Sequence, residues 1–290
     1  PTWLGLRLTA GLFAMPPNAD QPAAMKRFMR QRELAHAPLR LDIERRVCGS
    51  DYGATSWTTL DEAGRVAELL RLGPGNLLLD IGAGSGWPGL HLAATTGCNV
   101  VLTDIPFYGL QAAVQRAEAD GLRGAVWVAV ADGAALPFTS GRFDAVSHSD
   151  VLCCLVPKLA ALESCRRVVR TGGRTVFTVI SIPPGLSSAD HERAVAASPP
   201  FTDADEEYPA MLERSGWEIT DHIDLSGEFI HSTRRMLEEE EAHADELRAL
   251  HGEDDFAARL TRKRSRLGVL EQGLLRRELF AATAVPSPKI

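Results

Sequence analysis

The segment Leu77-Leu78-Leu79-Asp80-Ile81-Gly82-Ala83-Gly84-Ser85-Gly86-Trp87-Pro88-Gly89 gathers the residue types most suited to holding a ligand. An apolar run of strand length enters a glycine-rich turn, and Pro88 stands near the first position of a following helix. Glycines there let the backbone approach a bound molecule closely, because no Cβ intervenes. Two chemistries fit these letters. Gly84-x-Gly86-x-x-Gly89 matches the dinucleotide pattern, in which a helix N-terminus holds a pyrophosphate and the protein is a nicotinamide-dependent oxidoreductase. Asp80 favours the other, since a carboxylate beside a phosphate is repelled and suits a ligand carrying positive charge.

The elements around this turn alternate. Apolar positions Leu60, Ala63, Val66, Ala67 and Leu70 fall at helical spacing, with Asp61 and Glu62 in the first turn and Gly73-Pro74-Gly75 as the stop. Strand-length runs follow at Leu77–Ile81, Val100–Thr103, Ala125–Val130, Phe143–Ser147 and Arg174–Ile180, with helical stretches near Pro88–Thr95, Leu110–Ala119 and Lys158–Val169. Continuous apolar strands alternating with helices predict a mostly parallel sheet covered by helices on both faces, an α/β fold. Beyond the irregular stretch Pro183–Pro200, the pattern predicts a short helix Tyr208–Ser215 and a strand Trp217–Leu225. Two charged helices, Ile230–Leu250 and Asp255–Leu270, and a last strand near Leu275–Ala282 complete the chain. The charge runs Glu238–Glu241 and Arg262–Arg266 read as solvated helix faces. Residues 1–58 form a helical lead-in and lid, helical over Met25–Val47 with a break at Pro38, and residues 59–290 form one domain with a cap inserted at about 227–273.

Asp80-x-Gly82-x-Gly84-x-Gly86 resembles motif I of the class I S-adenosylmethionine (SAM)-dependent methyltransferases, and the resemblance runs from about Thr59 to Ala282. It implies a Rossmann-like fold with a seven-stranded sheet, SAM as cofactor, and Asp80, Gly82, Ala83, Gly84 and Gly86 around it. It further implies an acidic residue that accepts the ribose hydroxyls at the end of the second strand. Asp104 stands there, 18 residues past Gly86, followed by Ile105 to pack on the adenine. Asp132-Gly133 matches the acidic position facing the adenine amino group, Ser147 is a further cofactor-binding position, and Tyr52 covers the cofactor's methionine end. Methyl transfer is an in-line displacement that mainly requires alignment and exclusion of water. His148, at the end of the fourth strand, is the candidate general base for an acceptor amine or hydroxyl. Trp57, Trp87, His231 and Arg234 are the candidate acceptor pocket, and Cys153-Cys154 reads as a pair of buried small residues. The cap implies a closed site and a small-molecule acceptor methylated at nitrogen or oxygen. A protein or peptide methyltransferase with an open groove, an NAD(P)-dependent oxidoreductase and a SAM-binding module without catalysis are the alternatives.

Composition narrows the classes further. The 290 residues are 45% hydrophobic and 24% charged, ordinary for one large or two small globular domains. A net charge of -7 opposes nucleic-acid binding, which draws its strength from neutralising phosphates. No apolar run reaches the roughly 18 residues of a membrane span. Five cysteines without C-x-x-C spacing predict no metal site and a reducing, cytoplasmic setting. The apolar run Trp3–Pro16 lacks a small-x-small cleavage pattern and does not read as a signal peptide.

Overall fold

Thr59 opens the sheet domain with a capping box: its hydroxyl accepts from Glu62 N at 3.2 Å, and its own N–H donates to Glu62 Oε2 at 3.1 Å. Helix α2 (Leu60–Leu70) then buries Ala63, Val66 and Leu70 on one face. Before it lies α1 (Pro38–Cys48), which starts at proline because that residue has no N–H to leave unsatisfied in a first turn. The computed structural model describes residues 30, 34–54, 56–122 and 125–286. The run Trp3–Pro16 and the first part of the expected lead-in helix lie outside the described residues.

The core is a seven-stranded sheet of β1 (Leu77–Ile81), β2 (Asn99–Asp104), β3 (Val126–Val130), β4 (Phe143–Ser149), β5 (Val169–Ser181), β6 (Trp217–Asp224) and β7 (Arg276–Ala284). Its spatial order is β3-β2-β1-β4-β5-β7-β6. The pairs from β3 to β5 are parallel, and β7 runs antiparallel between β5 and β6. The chain leaves β1 towards β2 on one side and returns to β4 on the other, so the crevice at the carboxyl ends of β1 and β4 is the switch point where open α/β sheets bind ligands.

Helices α3 (Gly89–Thr96) and α4 (Phe107–Ala119) cover one face together with α2, over Leu78, Val100, Leu102 and Ala145. Helices α5 (Lys158–Val168), α6 (Ser188–Ala197) and α7 (Tyr208–Arg214) cover the other, over Leu79, Val146, Phe177 and Phe280. Between β6 and β7 the insertion forms three helices where two are expected: α8 (Ser226–Ala242), α9 (Ala244–His251) and α10 (Glu253–Glu271). Gly252, at φ +88, breaks the last two apart. A separate apolar cluster joins α1 to this cap through Ile43, Val47, Met236, Leu247, Phe256 and Leu260. No helix among the described residues is long and apolar enough to cross a membrane.

Candidate active site

The turn after β1 is held from beneath by its neighbours. Ala83 N donates to Thr103 O at 2.9 Å, tying the turn to the end of β2. Asp104, the last residue of β2, accepts from Gly84 N through Oδ2 at 2.8 Å and from Ile105 N through Oδ1 at 2.7 Å. One carboxylate thereby braces the glycine turn and still borders a cavity of about 560 Å³. Gly82, Ala83, Gly84, Asp104, Ile105 and Gly133 all line that cavity, and Trp57 and Trp87 line it from the side of the lead-in. Trp87 is fixed by donating its indole N–H to Thr58 O at 2.8 Å. Gly82 has φ +65, and a Cβ there would stand 2.5 Å from Val151 Cγ2, so the turn closes only with glycine.

Several expected positions differ. Asp80 does not face the cavity. Strand alternation puts Ile81 on the cavity side and Asp80 under α3, where its Oδ1 accepts from Ser147 Oγ at 2.8 Å. Its Oδ2 lies towards Gly89 N without a well-formed hydrogen bond, and burial raises the carboxyl to about 7. Ser147 is likewise buried behind the turn. Gly86 serves packing, since a Cβ there would meet Leu90 Cδ1 at 2.6 Å and Ala113 Cβ at 3.2 Å. Asp132 stays exposed beside the wall and caps the short turn Gly133–Ala135 by accepting from Ala134 N at 2.9 Å. Tyr52 packs at a tilt against Trp87, ring centres 5.1 Å apart, under the Arg116 guanidinium at 4.3 Å, and is outside the cavity wall.

His148 cannot act as a base from where it stands. Its register partners are Ile81 and Phe177, it stacks on the Phe177 ring at 4.5 Å, and neither ring nitrogen has a partner among the described residues. Burial lowers its pKa to about 3. His231 and Arg234 are exposed because α8 buries the opposite face through Phe229, Ser232, Thr233 and Met236; Arg234 pairs with Glu271 at 2.6 Å. Cys153 is buried as expected, but Cys154 is exposed, and both border the cavity. The two charge runs are not solvated throughout: Glu240 is completely buried and Lys263 turns inward to it.

Sequence reasoning missed a buried charge cluster. Arg277, near the start of β7, is 0% exposed and donates to both Glu62 oxygens at 2.8 Å. It also donates to Asp150 at 3.0 and 3.1 Å, and Asp150 Oδ2 accepts from Trp57 N at 3.3 Å. Burial alone would ease the proton off Arg277, but Asp150 and Glu62 outweigh it and hold the guanidinium charged. Asp150, at φ +56, is a cavity residue. The available signal was a charged triplet, Arg276-Arg277-Glu278, embedded in an apolar strand. Among the described residues no cluster of three or more His, Cys, Asp or Glu could hold a metal ion.

A methyltransferase-domain family model matches residues 79–177, the span carrying the glycine turn, Asp104 and β4. The demethylmenaquinone methyltransferase of Beutenbergia cavernae is 32% identical over 206 residues, covering 62% of this chain and 83% of that protein. The phosphoethanolamine N-methyltransferase of Triticum aestivum is 25% identical over 238 residues, covering 82% of this chain; the chain spans about half the length of that relative, 46%. In fold, a Haemonchus contortus phosphoethanolamine N-methyltransferase 2, solved with phosphomonomethylethanolamine and S-adenosylhomocysteine, superposes with a TM-score of 0.72 at 17% identity, over 88% of this chain and 60% of that one. The chain belongs to the class I SAM-dependent methyltransferase family.

Proposed function

We propose that the chain transfers the methyl group of SAM to a nitrogen or oxygen of a small acceptor held between the carboxyl edge of the sheet and the helical cap. The observation that carries this reading is Asp104, a carboxylate on the cavity wall whose two oxygens each take one backbone N–H. A carboxylate at this place on the wall is an acceptor for the hydroxyls of a ribose. The rest of the wall fits the same ligand. Gly82 and Gly84 offer bare backbone, and Ile105 offers an apolar surface for an adenine.

The dinucleotide alternative fits less well. A pyrophosphate would seek the N-terminus of α3, and the chain's own Asp80 carboxyl already lies beneath Gly89 there. The open groove of a peptide methyltransferase is also disfavoured, because Trp57 from the lead-in and Arg266 from α10 line the same cavity as the glycine turn. When bound, SAM supplies a carbon activated by its sulfonium. The chain's own part is alignment and exclusion of water, since His148 is sealed from the cavity.

Parallel calorimetric titration with SAM, S-adenosylhomocysteine and NAD tests the cofactor, and incubation of labelled SAM with small amines, alcohols and peptides tests the acceptor. The expected result is binding of the first two ligands and label transfer to a small molecule. Binding of NAD alone, or transfer only to peptide, would overturn the reading.

A further inference from the structure

A second cavity, of about 330 Å³, lies between α1 and the cap helices and shares Ala54, Ser56, Trp57 and Arg266 with the first. Although the chain carries a net charge of -7, this wall is cationic, built from Arg40, Arg259, Arg262, Lys263 and Arg266. Glu240 pairs with three of these cations, and Glu44, which also lines the cavity, is held by hydrogen bonds to its own neighbours. Glu240 Oε1 takes Lys263 at 2.5 Å, Arg259 at 3.4 Å and Arg40 as well. Burial alone would raise Glu240, but Lys263, Arg40 and Arg259 more than offset it and hold the carboxyl at about 2. Glu44 accepts from Ser50 Oγ at 2.8 Å, from Tyr52 N at 3.1 Å and from Ala54 N at 3.2 Å.

Arg266 and Arg262 stand apart from these pairs. Neither has a carboxylate within ion-pair distance among the described residues. Arg266 gives one N–H to Ala197 O at 3.1 Å and lies 5.5 Å over the Trp57 ring. His251 lines the same cavity, is 6% exposed, and its Nε2 has no partner among the described residues. Two guanidinium groups outside the Glu240 pairs and an imidazole with an unpartnered Nε2, all on one small cavity, complement an oxyanion.

We infer that the second cavity holds the acidic group of the acceptor, a phosphate or a carboxylate, with Arg266 at the junction directing the rest of the acceptor towards the glycine turn. This deepens the methyl-transfer reading and rests on it: the acceptor is an anionic small molecule. Burial and the crowding of cations push Lys263 down to about 7 despite Glu240, and His251 down to about 4. An anion among them would shift both upward.

The test titrates the chain calorimetrically with inorganic phosphate, acetate and choline chloride, each with and without saturating S-adenosylhomocysteine. One anion equivalent is expected to bind, choline is not, and the tighter of phosphate and acetate identifies the acidic group. Arg266→Gln and Arg262→Gln should each weaken the anion at least about tenfold, as expected for losing a charge-assisted hydrogen bond. Arg262 borders only the second cavity, so its variant should bind S-adenosylhomocysteine like the parent. Absence of anion binding, parent-like anion affinity in both variants, or competition between phosphate and S-adenosylhomocysteine would overturn the inference. S-adenosylhomocysteine failing to bind while phosphate binds would instead remove the methyl-transfer reading, so the two failures are distinguishable.

Discussion

Replacing His148 with phenylalanine separates a buried core imidazole from a catalytic one. The ring is 3% exposed and lies 4.5 Å from the Phe177 ring, with both nitrogens unpartnered among the described residues. Burial lowers its pKa to about 3 from the usual 6.5. The folded state therefore keeps a neutral ring while the unfolded chain takes up a proton. Stability from this group is complete above the unfolded pKa and is lost as pH falls from there towards the folded value. At 1.36 kcal/mol per pH unit, the parent loses about 2 kcal/mol at about pH 5 and about 4 to 5 kcal/mol by about pH 3. His148→Phe has nothing to protonate and escapes that loss. Near pH 8 its net effect is small, because removing two unpaired buried nitrogens offsets about 1 to 3 kcal/mol of overpacking. Urea unfolding of both proteins at about pH 8 and about pH 5 reads the difference, with about 2 kcal/mol less loss expected in the variant. Equal losses would refute the argument from burial. Methyl transfer abolished in a variant that keeps its stability and its S-adenosylhomocysteine affinity would return His148 to the reaction.

Three further outcomes are expected. Asp104→Asn should weaken S-adenosylhomocysteine by about 2 to 4 kcal/mol, roughly 30- to 900-fold in Kd, by removing charge-assisted acceptors from both the ribose and the glycine turn; unchanged affinity by calorimetry would end the ribose assignment. Arg277→Met leaves Glu62 and Asp150 buried without their counter-charge and should cost about 3 to 5 kcal/mol in urea unfolding, a loss below about 1 kcal/mol being incompatible with the cluster. Asp80 has its pKa raised to about 7 by burial, so its ionisation destabilises the fold as pH rises from the unfolded value of 3.8 through 7. Asp80→Asn should therefore gain about 3 to 4 kcal/mol on the parent between about pH 4 and about pH 8, and equal pH slopes in thermal melts would contradict it.

The sheet was legible because strands buried on both faces leave continuous apolar runs, as in Leu77–Ile81 and Val100–Thr103. The glycine turn and Asp104 were legible because their types and spacing are local. What failed was direction. A sequence places Asp80 and His148 at strand ends, but pairing across strands decides which way they point: Asp80 opposite Ser147 beneath α3, and His148 opposite Ile81 under Phe177. The cap failed for a related reason. Glu240 and Lys263 lie in helical charge runs that look solvated, and only the docking of α8, α10 and α1 together turns those two side chains to a shared interior. Pairs of this kind, far apart in the chain, leave no periodic signal.

The Arg277 cluster shows how such distant pairs shape the site. The cap leaves the sheet after β6 and returns at β7, and Arg277 is the second residue of that returning strand. Its guanidinium reaches Glu62 in the first turn of α2, Asp150 after β4, Thr58 in the lead-in and Thr178 on β5. A buried ion cluster adds little stability over well-packed apolar residues, so its main effect here is on geometry. Glu62 holds the Thr59 cap with the same carboxylate that receives Arg277, so the start of α2 and the start of β7 are set by one group. Asp150 passes the constraint on, because its Oδ2 accepts from Trp57 N while taking Arg277. Trp57 lines both cavities and lies beside Arg266. Directional charged hydrogen bonds thus hold Trp57, the aromatic wall that the two cavities share.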